Sequence, residues 1–87
     1  MGQAKEEQEL TNILTKRLGL AIERRRKALG LTQKALAALA GVGPNFVGQI
    51  ESGKATAHFS KILNVLKALG LQFTLENGKN GIEIKNV

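Results

Sequence analysis

The chain is predicted to be a mainly α-helical domain of four to five helices followed by a short C-terminal β element. Three observations carry this. Apolar residues recur with a helical period between glycines at 30, 41, 53 and 70. The period then switches to two in Leu71-Gln72-Phe73-Thr74-Leu75 and again in Ile82-Glu83-Ile84-Lys85. The length, 87 residues, allows one compact core of this kind and no second domain.

The first helix is carried by Ile13, Leu14, Leu18, Ala21, Ile22, the stem of Arg25, and Leu29, and it stops at Gly30. Thr11 or Thr15 is the expected cap; residues 1–14 are a polar extension that turns faintly helical, with its first few residues frayed. Thr32 is placed to cap a second helix whose apolar face is Leu36 and Leu39 with Ala35 and Ala40. Gly41 ends it, and Gly41-Val42-Gly43 makes a short turn. Pro44 then stands where proline is best tolerated, in the first turn of a third helix over 44–51. Val47 and Ile50 mark that helix's buried side, and Gly53 closes it. Thr56 is the expected cap of a fourth helix with Phe59, Ile62, Leu63, Leu66 and Leu69 on one face, ended by Gly70. Residues 76–81 are rich in turn formers between the two strands. The expected division is therefore an extension at 1–14, a helical domain at 15–70 and a β element at 71–87.

A chain this short buries only about 60–65% of its unfolded surface, so its core is marginal. It has no cysteine, hence no disulfide or thiolate metal site, and the expected setting is the cytoplasm. No apolar run reaches the roughly 18 residues of a membrane span. The acidic, polar start is not a signal peptide. The net charge is +6. It is concentrated in residues 16–54, where eight basic side chains meet only Glu23 and Glu51; elsewhere five basic and five acidic residues cancel. Focused positive charge suits a polyanion. The scarcity of aromatic residues, with no Trp or Tyr, argues against base stacking on single-stranded RNA.

Residues 31–54, LTQKALAALAGVGPNFVGQIESGK, have the steric logic of a helix-turn-helix. A small residue, Ala37, stands where two helices cross. Gly41, four residues later, can adopt the left-handed conformation of a sharp turn. Val42, Val47 and Ile50 lock the second helix inward and leave its other face free for base edges. Asn45 and Gln49, four residues apart, share that outer face, and amides can grip adenine bidentately. Pro44, Asn45 and Gln49 are the expected base contacts; Phe46 either touches a thymine methyl or packs inward.

Thr32-Gln33, Leu36-Ala37, Gly41-Val42, Val47, Ile50-Glu51 and Gly53 resemble the Cro/CI-type helix-turn-helix family of phage repressors and their relatives. That resemblance implies duplex DNA as partner, with phosphate contacts from Thr32, Gln33, Lys34, Gly43 and Lys54. It implies a structural role for Ala37, Gly41, Val47, Ile50 and Glu51. At most one or two of Arg24, Arg25, Arg26 and Lys27 are expected to face DNA, since successive residues step about 100° round a helix. Over residues 15–84 the segments RRKALGLTQKALAALAGV and ESGKATAHFSKILNVLKALGL are similar to HipB-like antitoxins. This implies a dimeric repressor of its own operon, a palindromic operator and a HipA-like kinase toxin as partner. A stand-alone Cro/CI-type regulator is the alternative.

Dimerisation is also expected on physical grounds. A lone two-stranded hairpin is marginal in water. Strand pairing between two chains would bury Leu71, Phe73, Leu75, Ile82 and Ile84, with a hairpin packed on the fourth helix as the alternative. No cofactor, metal or catalytic role is expected: the sole histidine, His58, has no second ligand nearby in sequence.

Overall fold

Strong helix formers crowd the N-terminus, and the helix they make is longer than their apolar pattern suggests. In the computed structural model, which describes residues 2–54, 58–75 and 82–86, α1 runs unbroken over Gly2–Ala28. Ala4, Lys5, Glu6, Glu7, Gln8, Glu9 and Leu10 have high intrinsic helix propensity, and no proline interrupts them. Gln8 adds a hydrogen bond to Asn12 one turn on, at 3.2 Å. Neither Thr11 nor Thr15 therefore caps the helix; Thr15 lies within it and its hydroxyl donates to the Asn12 carbonyl at 3.0 Å. No break separates the expected extension from the domain.

Three shorter helices follow: α2 over Gln33–Ala40, α3 over Pro44–Glu51 and α4 over Phe59–Ala68. Thr32 caps α2, its hydroxyl accepting from the Ala35 N–H at 3.0 Å. Gly41 ends α2 at φ 70°, a left-handed conformation, and its N–H and that of Val42 bond back to carbonyls of Ala38 and Ala37. His58 stands at the N-cap of α4, and Thr56 lies outside the described residues.

The core joins all four helices and the first strand: Ile22 from α1, Leu36 and Ala37 from α2, Val47 and Ile50 from α3, Ile62, Val65 and Leu66 from α4, and Leu69 and Leu71 just after it. Two residues depart from their expected places. Leu39 is 65% exposed, because α2 turns Leu36 and Ala37 inward instead. Phe59 is 52% exposed, and the buried stripe of α4 runs through Ile62, Val65 and Leu66.

The strands β1 (Leu71–Leu75) and β2 (Ile82–Asn86) pair antiparallel within the chain, with Phe73 opposite Ile84 and Leu75 opposite Ile82. The hairpin packed on the fourth helix, the alternative to pairing between chains, has local support within the chain. Leu71 is buried in the chain's own core, Phe73 stacks edge-on against Phe59 at 5.6 Å, and Ile84 packs on the same core. The hairpin is thus backed by α4 and does not stand alone. The turn-rich residues 76–81 lie outside the described residues.

Candidate nucleic-acid interface

The sequence places Gly41 where α2 must turn sharply into α3, and Pro44 where α3 begins. Gly43 is the N-cap of α3 and offers no side chain to its first turn. The turn sets α3 across α2 with Val47 and Ile50 buried and the opposite face outward. On that outer face Pro44, Asn45 and Gln49 are exposed. Phe46 points elsewhere: it is half-buried against the core, with the Lys61 ammonium 5.8 Å from its ring centroid.

A shallow open groove gathers Gln33, Pro44, Asn45, Gly48, Gln49, Ser52 and Lys54. Five of these are expected contact residues, drawn from α2, α3 and the turn after α3. Thr32, Lys34 and Gly43 lie outside it, exposed at the N-terminal ends of α2 and α3. Gly48 and Ser52 are additions that the sequence reading missed. Gly48 is half-buried where Gln33 crosses α3: a Cβ there would stand 3.6 Å from the Gln33 Oε1. A glycine inside a helix costs about 0.5–1 kcal/mol, and that cost was the available signal of a close approach. Ser52 Oγ donates to the Gln49 carbonyl at 2.8 Å, and the Lys54 N–H reaches the same carbonyl at 3.1 Å, so α3 ends tightly wound.

The angle of α3 is held from behind by a polar cluster. Arg26 of α1 grips Glu51 with two hydrogen bonds, Nε to Oε2 at 2.7 Å and Nη2 to Oε1 at 3.0 Å. Its remaining arm, Nη1, donates to the Leu31 carbonyl at 2.8 Å. Gln33 Nε2 of α2 donates to the same Glu51 Oε1 at 3.0 Å. Three helices therefore converge on one carboxylate, whose side chain is 3% exposed, against 11% for that of Arg26.

Burial is the largest single influence on the Glu51 carboxyl and pushes its pKa up. The hydrogen bonds from Arg26 and Gln33, with the charges of Arg26 and Lys27, outweigh it and leave the pKa below the ordinary value. The hydrogen bond to Glu51 raises the Arg26 guanidinium above its ordinary value, burial opposes this, and the charges of Glu51 and Glu23 add to it.

These contacts decide which cations of 24–27 face outward. Arg26 is committed to Glu51, and Arg25 is half-buried with Nε donating to the Leu69 carbonyl at the end of α4, at 2.9 Å. Arg24 and Lys27 remain exposed; Lys27 makes a long contact of 3.9 Å to Glu23. A second close approach went unread in the sequence. A Cβ on Gly19 of α1 would clash with the Ile50 carbonyl oxygen and stand 2.8 Å from that of Glu51. Gly19 is thus what lets α1 sit directly on the C-terminal end of α3.

Among the described residues no group of His, Cys, Asp and Glu is arranged to hold a metal ion, and no helix is long and apolar enough to cross a membrane. Residues 22–75 match the family described as Helix-turn-helix. The chain is also 43% identical over 53 residues to a protein of Sinorhizobium fredii (strain NBRC 101917 / NGR234). That relative is described as an uncharacterized HTH-type transcriptional regulator, y4mF; the match covers 61% of this chain and 70% of the relative. With Thr32 capping α2, Gly41 turning the chain and α3 locked across α2 on Val47 and Ile50, the chain belongs to the helix-turn-helix family.

Proposed function

We propose that this protein is a sequence-specific DNA-binding transcriptional repressor that inserts α3 into the major groove of duplex DNA. The observation that carries the proposal is the groove on the outer face of α3, where the exposed Pro44, Asn45 and Gln49 meet Gln33 and Lys54. Pro44, Asn45 and Gln49 read base edges. Thr32, Gln33, Lys34, Gly43 and Lys54 contact phosphates, the first four from the N-terminal ends of α2 and α3, where helix dipoles favour anions. Ala37, Gly41, Val47 and Ile50 hold the motif's shape. The +6 charge supplies the salt-dependent part of the affinity.

The repressor acts in the cytoplasm as a homodimer on a palindromic operator, two reading helices being about 34 Å apart, one duplex turn. The hairpin contributes to that dimer by its outer edge. We further propose that it is the antitoxin of a HipA-type kinase pair, repressing its own operon. The similarity of residues 25–42 and 51–71 to HipB-like antitoxins supports this reading; a stand-alone regulator is the alternative. No cofactor, metal or enzymatic step enters the proposal.

The test is fluorescence anisotropy of the full chain on duplex taken from upstream of its own gene, against a scrambled duplex, over a salt series. Selective binding that saturates at two chains per site is the expected result. Equal, weak binding to both duplexes refutes operator recognition at its own promoter. Co-purification with the kinase-like product of a neighbouring reading frame tests the antitoxin role, and a chain that binds operator but no such kinase is a stand-alone regulator.

A further inference from the structure

We propose that the N-terminal half of α1 is a self-association element that lies antiparallel along α1 of a second copy of this chain. The proposal rests on the dimer above but assigns it a surface separate from the hairpin edge.

The first observation is a helical seam, apolar but for Arg17, whose start is exposed. Leu10, Leu14, Arg17 and Ala21 follow one another at alternating spacings of four and three, the repeat of a coiled-coil seam. Ile13 and Leu20, seven apart, flank it. Leu10 is 55% exposed and Ile13 53%. All described side chains from Glu6 to Ile13 are exposed. At 1.5 Å per residue α1 is about 40 Å long, and the molecule's longest extent is 42 Å, so one helix spans it. A helical segment shorter than about 12–15 residues is marginal in water without packing, so this half of α1 gains from a partner.

The second observation is a place to receive that seam. Leu14, Arg17 and Ala21 form one wall of an apolar groove of about 470 Å3, and Phe59, Phe73 and Ile84 form the other. Leu10 and Ile13 of a second copy enter this groove.

The third observation fixes the direction. Charge is segregated along α1: Glu6 and Glu9 are exposed near its start, and Lys16, Arg17 and Arg24 are exposed further on. Parallel pairing would set like charges side by side, whereas antiparallel pairing sets the acidic end of each helix beside Arg17 of the other.

The arrangement leaves the reading helix free. Leu10 lies nine residues before Gly19, about 180° round the helix from it, and Gly19 is the residue that meets the end of α3.

Sedimentation equilibrium of the full chain tests the proposal. Leu10→Lys with Ile13→Lys replaces exposed residues, so the protomer still folds, as thermal unfolding verifies. The dimer dissociation constant is expected to rise at least about 30-fold, as for central interface anchors. Arg17→Glu is expected to weaken the dimer about threefold, and adding Glu6→Lys in the same chain to restore it. A wild-type chain that is monomeric throughout, and binds DNA one chain per site, overturns this proposal together with the dimer reading. A wild-type dimer unaffected by the Leu10 and Ile13 changes overturns this proposal alone. Weakening by Arg17→Glu without rescue overturns the antiparallel arrangement.

Discussion

Glu51 of α3 accepts from Arg26 of α1 and Gln33 of α2, so removing its charge tests how α3 is held. Glu51→Gln keeps the shape but leaves the Arg26 guanidinium facing a neutral amide, with side-chain exposure of only 11%. Breaking a buried pair by removing one partner costs about 3–5 kcal/mol, because the surviving charge stays buried and uncompensated. Arg26 retains its bond to the Leu31 carbonyl, so the low end, about 3 kcal/mol, is expected. Urea unfolding followed by circular dichroism measures it. With a slope of about 1 kcal/mol/M for a small domain, the midpoint should fall by roughly 3 M. The double variant Arg26→Met with Glu51→Leu removes both charges and should cost less than Glu51→Gln alone, since apolar replacement of a buried pair is often neutral. A loss below about 0.5 kcal/mol for Glu51→Gln would place the pair among solvated surface contacts and refute the reasoning. A double variant as damaging as the sum of both singles would show that the two groups are not coupled.

Further expectations follow from the same geometry. Because the Glu51 pKa is lowered in the folded chain, its contribution is fully present above the ordinary carboxylate value, about 4.3. It is lost as pH falls through the lower folded value. Acid unfolding of Glu51→Gln should lack that part of the pH dependence, and an unchanged acid profile would count against it. Gly19→Ala gains about 1 kcal/mol of helix propensity. It nevertheless drives a methyl into the Ile50 and Glu51 carbonyls, so thermal denaturation should show a net loss of about 1–2 kcal/mol; stabilisation would mean that α1 is free to move off α3. Gln49→Ala should lose about 1–3 kcal/mol of discrimination at one base position, and a loss equal on every sequence would make Gln49 a phosphate contact. Lys54→Ala should weaken all duplexes alike and reduce the salt slope by about one, and an unchanged slope would remove Lys54 from the interface.

The reading motif was legible because its signals are local. Thr32 bonds three residues along the chain, Gly41 adopts its own left-handed φ, and Pro44 fixes the start of α3 by its own ring. Val47 and Ile50, three apart, define the buried side of α3 and so the face that carries Asn45 and Gln49. The two glycines inside helices, Gly19 and Gly48, were legible only as a cost. What each approached could not be read, because Ile50 lies on another helix and so does Gln33.

Local residues dictate the helix-turn-helix, the end of each helix and the switch from helical to strand period, since each follows from side chains within a turn or two of one another. The tertiary structure sets which of the four consecutive cations turn inward, because Arg26 finds its carboxylate 25 residues away and Arg25 its carbonyl 44 residues away. It also decided that Leu39 faces out and that β1 pairs with β2 in the same chain. Spacing tells which residues share a face; burial and pairing depend on what another segment brings to that face.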